Sequence, residues 1–143
     1  MYKDILYPID ITEEGSWSES LSVVLEYIKA FDARLHIMTV IPDGSMNIVR
    51  QYLPSGSVEK VLDNTNESLH KFVDEHIPDG VKVQHIVAKG PVYECIIQTA
   101  DQINADLIVM SAHRPELKDY LLGPNAAKVV RHSNRSVLVV RNH

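Results

Sequence analysis

The segment Leu107-Ile-Val-Met-Ser-Ala-His-Arg-Pro-Glu-Leu-Lys-Asp-Tyr-Leu-Leu-Gly-Pro-Asn-Ala126 runs from an apolar stretch through a polar loop to a Gly-Pro turn and the start of a helix. The unbroken apolar run from Leu107 to Met110 reads as a buried strand, the kind that parallel sheets contain. Pro124 suits a first helical position, which places the helix start beside Gly123. The N–H groups of a first helical turn lack intrahelical partners and the helix dipole is positive there, so an anion at this junction would meet donors. The same residues would equally make an ordinary strand-to-helix connection.

On both sides of this junction, strand and helix signals alternate. Ile5-Leu-Tyr-Pro-Ile9 is a short apolar run ending at Asp10, with Pro8 marking the carboxyl end because a proline has no N–H to give a ladder. Ser16 and Glu19 have capping-box spacing ahead of a helical face of Leu21, Val24, Leu25 and Ile28. Arg34 to Ile41 reads as a second strand, closed by Pro42-Asp43-Gly44. Ser45 to Ser57 reads as a long, partly ordered connection. Val58, Val61, Leu62, Thr65, Leu69, Phe72, Val73 and His76 then form the clearest amphipathic stripe in the chain. Val81 to Val87 suits an edge strand, and Gly90-Pro91 opens a helix whose Val92, Ile96, Ala100 and Ile103 face inward. Leu122, Ala126, Val129 and Val130 are read as the inner stripe of the last helix, and Ser136 to Val140 as a fifth strand. Five strands alternating with helices predict a parallel sheet covered on both faces and, with right-handed crossovers, a doubly wound fold. Ligands of such folds sit beyond the carboxyl ends of the strands where the strand order reverses. That rim comprises Pro8 to Asp10, Val40 to Pro42, Ala88 to Gly90 and Ser111 to Arg114.

A chain of 143 residues suits one domain, 1–143, and 45% hydrophobic with 23% charged residues is the composition of an ordinary globular protein. The net charge of −5 argues against nucleic acid as a partner. No run approaches the roughly 20 apolar residues of a membrane span, and Met1-Tyr-Lys-Asp4 leads into a strand and not a signal core. No membrane insertion and a cytoplasmic location are therefore expected. The single cysteine, Cys95, lies in a helical pattern and reads as a small helix residue. His36, His70, His76, His85, His132 and His143 lack ligand spacing, so no metal is expected. Neither a Gly-x-Ser-x-Gly elbow, a Walker loop nor a Gly-x-Gly-x-x-Gly fingerprint occurs, and no catalytic residue is assigned. Asp10 ends a strand on the rim with no Lys or Arg immediately beside it, so its charge calls for solvent, a loop or helix cap, or a ligand hydroxyl such as a ribose. His113 and Arg114, with Lys118 four residues beyond Arg114, could face a phosphate or stand as solvated loop charges.

The residues Ile5-Leu-Tyr-Pro-Ile-Asp10, Thr39-Val-Ile41, Lys89-Gly-Pro91, Ala105-Asp-Leu-Ile-Val-Met110, Ser111-Ala-His-Arg114, Leu121-Leu-Gly123, Val130-Arg-His132 and Ser136-Val-Leu-Val-Val140 resemble the universal stress proteins over essentially the whole chain. Tyr120-Leu-Leu-Gly with Asn125-Ala-Ala looks closest to the enterobacterial F and G branch. Many members of this family are cytoplasmic and bind ATP or a related adenine nucleotide. The architecture expected is a single α/β, doubly wound domain, a five-stranded parallel sheet in the order 3-2-1-4-5 with helices on both faces. The resemblance implies that Asp10 lies near the base and ribose, that Val40 offers main-chain contacts to adenine, and that Pro8 and Ile9 line the same wall. It further implies that Met110, Ser111, His113 and Arg114 run beside the ribose and phosphates, and that Gly123, Pro124, Asn125 and Ala126 hold the phosphates. The ligand implied is ATP or AMP, with Mg2+ as an optional companion, and the partner a second copy paired through Val137 to Val140.

The chain departs from the family's Gly-x-x-Gly, about nine residues, Gly-Ser/Thr pattern. Ser111 and Arg114 replace the first two glycines, the loop is about one residue shorter, and Pro124 replaces the hydroxyl residue after Gly123. Losing glycine keeps backbone and phosphate further apart, and proline removes an N–H and a hydroxyl. Arg114 by charge and Asn125 as a donor are the compensating groups. Three functions follow for comparison: a nucleotide-binding regulator with little or no catalysis, a ligand-free dimeric adaptor, and an ATP-using ligase, for which no dedicated phosphate loop or paired histidines are found.

Overall fold

The computed structural model describes residues 1–41, 57–112 and 124–141, the side chains of 57 and 58 excepted. The first strand, β1 (Asp4–Pro8), is followed by a single 3-10 turn at Glu14–Ser16 and helix α1 (Ser20–Phe31). Next come β2 (Arg34–Ile41), α2 (Ser57–His76), β3 (Val83–Lys89), α3 (Val92–Gln102), β4 (Leu107–Ser111), α4 (Pro124–His132) and β5 (Ser136–Val140). All pairings are parallel and the strand order is β3-β2-β1-β4-β5, as expected. The connection read over Ser45 to Ser57 lies, apart from Ser57 itself, outside the described residues.

Two apolar layers cover the sheet, and the period of two along each strand decides which residues enter which layer. On one face Ile5, Tyr7, Ile9, Leu35, Ile37, Leu107 and Val109 meet Leu21, Val24 and Ile28 of α1 and Leu69, Phe72 and Val73 of α2. On the other, Leu6, Met38, Ile108 and Met110 meet Cys95, Ile96 and Ala100 of α3 and Ala126 and Val129 of α4. Cys95 is thus a core residue. Ile5, Leu6, Leu35, Ile37 and Ile108 are fully buried, as central strands of a doubly covered sheet require.

Two local features differ from the sequence expectation. Ser16 does not cap α1: the residue before that helix is Glu19, with no side-chain cap bond, and the hydroxyl of Ser16 turns back to the Asp10 loop instead. The 3-10 turn inserted at Glu14–Ser16 moves the helix start onward, so the spacing that suggested a cap falls in the wrong place. Val130 is 46% exposed and lies outside the inner stripe that the sequence pattern predicts for it, while Ala126 and Val129 are buried. Only a narrow stripe of this nine-residue helix faces the sheet, and Val130, about 100° around from Val129, is turned outward. Leu122 lies outside the described residues.

Polar groups at the amino end of the sheet are answered locally. The buried ring of His36 spans β1 to β3, with Asp4 Oδ1 2.8 Å from Nε2 and Gln84 Oε1 at Nδ1. Asp106 accepts the N–H groups of Lys3 and Asp4 at 2.8 and 3.0 Å, which joins β1 to the start of β4. Arg135, at the entry to β5, donates to Asp101 and Asn104 at the end of α3 and to the carbonyl of Ala105. This end of the sheet is therefore tied by side chains.

A second histidine contact joins α2 to β3. The rings of His70 and His85 stack with centroids 3.6 Å apart at 19°. Burial holds the His85 ring below its ordinary pKa, the His70 ring adds to that, and Asp74 opposes it. A depressed folded-state pKa means the unfolded chain binds more protons once the pH drops past the ordinary value of about 6.5. Stability from this contact is complete above that pH and declines as the pH falls through it. Urea midpoints measured from pH 7.5 to 5.5 are expected to fall for the wild type and to fall less for His85→Gln; parallel profiles would show that the stacked pair is not responsible.

Candidate functional site

Strand order reverses between β1 and β4, and the backbone opens there for a reason legible in one residue. Ile9 donates its N–H to the carbonyl of Met38 on β2 at 2.8 Å, so the alternation of a strand turns position 8 toward β4. Position 8 is proline, which has no N–H to give. The β1–β4 register accordingly runs through Ile5↔Leu107 and Leu6↔Ile108, while β1 stays with β2 to Pro8↔Met38. Beyond Leu6 the carboxyl end of β1 and that of β4 are no longer held by a shared ladder. In doubly wound folds the crevice at such a switch point is where ligands are bound.

One wall is β2. The same alternation, counted from the Met38 carbonyl that faces β1, directs the N–H and C=O of Val40 to the β1 side, past the end of that strand. Its neighbour Ile41 faces the other way and accepts the N–H of Gly90 at 3.0 Å. Gly90 has φ of +140°, a conformation that an L side chain would strain, so glycine is needed where β3 turns toward α3. Val40 is half-buried, with its side chain against the α3/α4 layer.

The opposite wall is the loop after β1. Asp10 is exposed at its head, and its Oδ1 accepts both the N–H and the hydroxyl of Thr12, at 3.0 and 2.7 Å. Its main chain is held as well: the N–H donates to Ser16 Oγ at 3.0 Å, and Ser16 Oγ donates to its carbonyl at 2.8 Å. The Asp10 carbonyl also accepts the N–H of Glu13 at 3.0 Å. Of the options left open for Asp10, the loop cap is therefore present, and it fixes where the carboxylate stands. Beneath the loop, the buried Tyr7 hydroxyl pairs with Ser20 Oγ at 2.7 Å, with the Trp17 carbonyl 3.4 Å from Tyr7. Burial drives the Tyr7 pKa far above its ordinary range, only partly offset by the Ser20 bond, so this hydroxyl is a neutral anchor. Thr12 and Ser16 are contributions that the sequence reading missed. Asp10-Ile-Thr12 has the spacing of an Asx turn, which would have identified the first of them.

The far side is β4 and the start of α4. Met110 is buried in the α3/α4 layer, and Ser111 ends the strand half-buried with its hydroxyl 3.2 Å from the Gly15 carbonyl. Pro124 is the first residue of α4, as expected, and Asn125 is half-buried beside it. Ile9 and Ala126 have their side chains in the two cores, one in each. The structure thus brings Pro8, Ile9, Asp10, Val40, Met110 and Ser111 to the carboxyl-end rim. His113, Arg114, Lys118 and Gly123 lie outside the described residues.

Comparison with known proteins agrees with this architecture. The model of the universal stress protein family matches residues 1–141. Universal stress protein G of Escherichia coli O157:H7 is 30% identical over 99% of this chain and the whole of that protein. Universal stress protein MJ0577 of Methanocaldococcus jannaschii is also 30% identical, over 99% of this chain and 96% of its own length. The solved structure of MJ0577 superposes with a TM-score of 0.76 at 29% identity, covering 100% of this chain and 98% of that one. A universal stress protein crystallised in complex with cAMP shares the fold, with a TM-score of 0.64 at 21% identity over 98% of this chain and 97% of that one. The chain belongs to the universal stress protein family.

Proposed function

We propose that this protein binds an adenine nucleotide, ATP or AMP, with Mg2+ as an optional companion, in the crevice between β1 and β4, and acts as a stress-response regulator with little or no catalysis. The observation that carries this reading is the pairing of a fixed carboxylate at Asp10 with the outward-directed main chain of Val40 across a strand-order reversal. A carboxylate can accept both ribose hydroxyls, and one N–H with one C=O matches the acceptor and donor on an adenine edge. The cAMP complex of a family member supports an adenine ligand as the chemistry to test. Pro8 and Ile9 would line the base, Met110, Ser111, His113 and Arg114 would follow the ribose and phosphates, and Gly123 to Ala126 would meet the phosphate end. Cytoplasmic location and indifference to nucleic acid belong to the same reading; among the described residues, no helix is long and apolar enough to cross a membrane.

Protein purified without added nucleotide, then extracted and analysed by mass spectrometry, is expected to yield an adenine nucleotide, and millimolar ATP is expected to raise the melting temperature. No retained nucleotide together with no thermal shift would sink the proposal.

A second reading, a dimeric adaptor, draws on β5. That strand is an edge of the sheet, and Val137, Leu138, Val139 and Val140 are each only partly covered. An apolar edge offers unpaired backbone groups to another strand. Pairing of Val137 to Val140 with the same segment of a second copy would cover it, whether or not a ligand is bound. Sedimentation at micromolar concentration is expected to show a dimer; monomer alone would remove this reading.

A further inference from the structure

Ser111 ends β4, yet its hydroxyl reaches across to a segment 96 residues earlier, donating to the Gly15 carbonyl at 3.2 Å. Gly15 sits in the 3-10 turn, and the next residue is Ser16, which holds both the N–H and the C=O of Asp10. The β1–β4 ladder has stopped at Leu6↔Ile108, well before this level, because Pro8 cannot extend it. The Ser111 bond therefore spans the gap where the two strands have parted, and it fastens the Asp10 loop to the opposite wall of the crevice.

We propose that Ser111 is a positioning residue: through Gly15 and Ser16 it fixes the Asp10 loop against β4, and so sets where the Asp10 carboxylate meets a nucleoside. The proposal rests on the nucleotide reading above. In place of direct contact along the ribose and phosphates, Ser111 then acts indirectly, at the nucleoside end through the Asp10 loop. Glycine, which the family's Gly-x-x-Gly pattern has here, lets the backbone approach a phosphate but carries no hydroxyl to hold the loop. Serine gives up that approach and gains a bond to the loop. The carboxylate it orders faces sugar and base, so the contribution of Ser111 is independent of how many phosphates the ligand carries.

The test uses the full-length protein and two readouts. In the ligand-free state, amide hydrogen exchange followed by NMR is expected to quicken at Asp10, Thr12, Glu13 and Ser16 in Ser111→Ala. The β2 amides are expected to keep their protection, which also reports that the variant is folded. Ser111→Thr keeps a hydroxyl and is expected to restore the loop's protection. Calorimetric titration with adenosine and with ATP should then show Ser111→Ala weakening both by the same factor, roughly three- to tenfold, the value of one hydrogen bond. In an Asp10→Ala background the Ser111→Ala change should add nothing, since the two act as a unit. Unchanged exchange in the loop overturns the lock even if the wild type binds nucleotide. A loss seen with ATP but not with adenosine overturns it in favour of direct phosphate contact. A wild type that binds neither ligand overturns the nucleotide reading and the positioning role with it, a result distinguishable because the exchange data are collected without ligand.

Discussion

Ile108→Ala is expected to destabilise the fold by about 3–4 kcal/mol, the range of large-to-small changes at fully buried core positions. Ile108 is 0% exposed and is the second residue of β4, in register with Leu6 on β1 and Val137 on β5. It packs in the layer formed by Met38, Ile96, Ala126 and Val129. Strands fixed by ladders on both sides cannot close over a missing side chain, so the cavity remains and its lining loses contacts as well as burial. For a domain of this size the melting temperature should drop by roughly 10 °C. Val130→Ala provides the internal comparison, since Val130 is 46% exposed on α4 and should change stability by less than about 0.5 kcal/mol. Equal denaturant midpoints for the two variants would contradict the packing described for β4.

Asp10→Ala is expected to weaken adenine-nucleotide binding by roughly 10- to 100-fold, the value of a charge-assisted hydrogen bond lost from a site. Two effects combine in that number. The carboxylate that would accept the ribose hydroxyls disappears, and so does the acceptor of the Thr12 N–H and hydroxyl that shapes the loop. Asp10→Asn separates them, because its side-chain carbonyl can still accept from Thr12 while the charge is gone. Calorimetric titration should place Asn between wild type and Ala. If Asn binds as weakly as Ala, the charge itself carries the interaction; if Asn matches wild type, Asp10 serves the loop alone and its assignment to the ligand fails.

Much of this molecule is legible in one dimension, and particular residues show why. Leu107 to Met110 is apolar without interruption because both faces of β4 are covered, and that pattern can be read without coordinates. Pro8 announces a strand end by its missing N–H, and its consequence, the parting of β1 from β4, follows from the same atom. The rim residues Asp10, Val40 and Ser111 follow from topology once the alternation of strand and helix is accepted. The roles of two serines were not legible. Ser16 matched a capping box by spacing alone, and Ser111 matched a phosphate-loop position by resemblance alone.

Both of those roles depend on distance through space. Whether the hydroxyl of Ser16 caps a helix or turns back to Asp10 depends on the 3-10 turn that displaces the start of α1. Whether Ser111 faces a ligand or the Gly15 carbonyl depends on a loop 96 residues away in the chain coming to lie 3.2 Å from it. The sequence by itself determined the α/β architecture and the rim on which a ligand would sit, because periodicity and proline act locally on the backbone, while the family came from the resemblance of its motifs. Only the tertiary structure decided how the Asp10 loop is held, because a short polar side chain has several partners within reach and the fold selects among them.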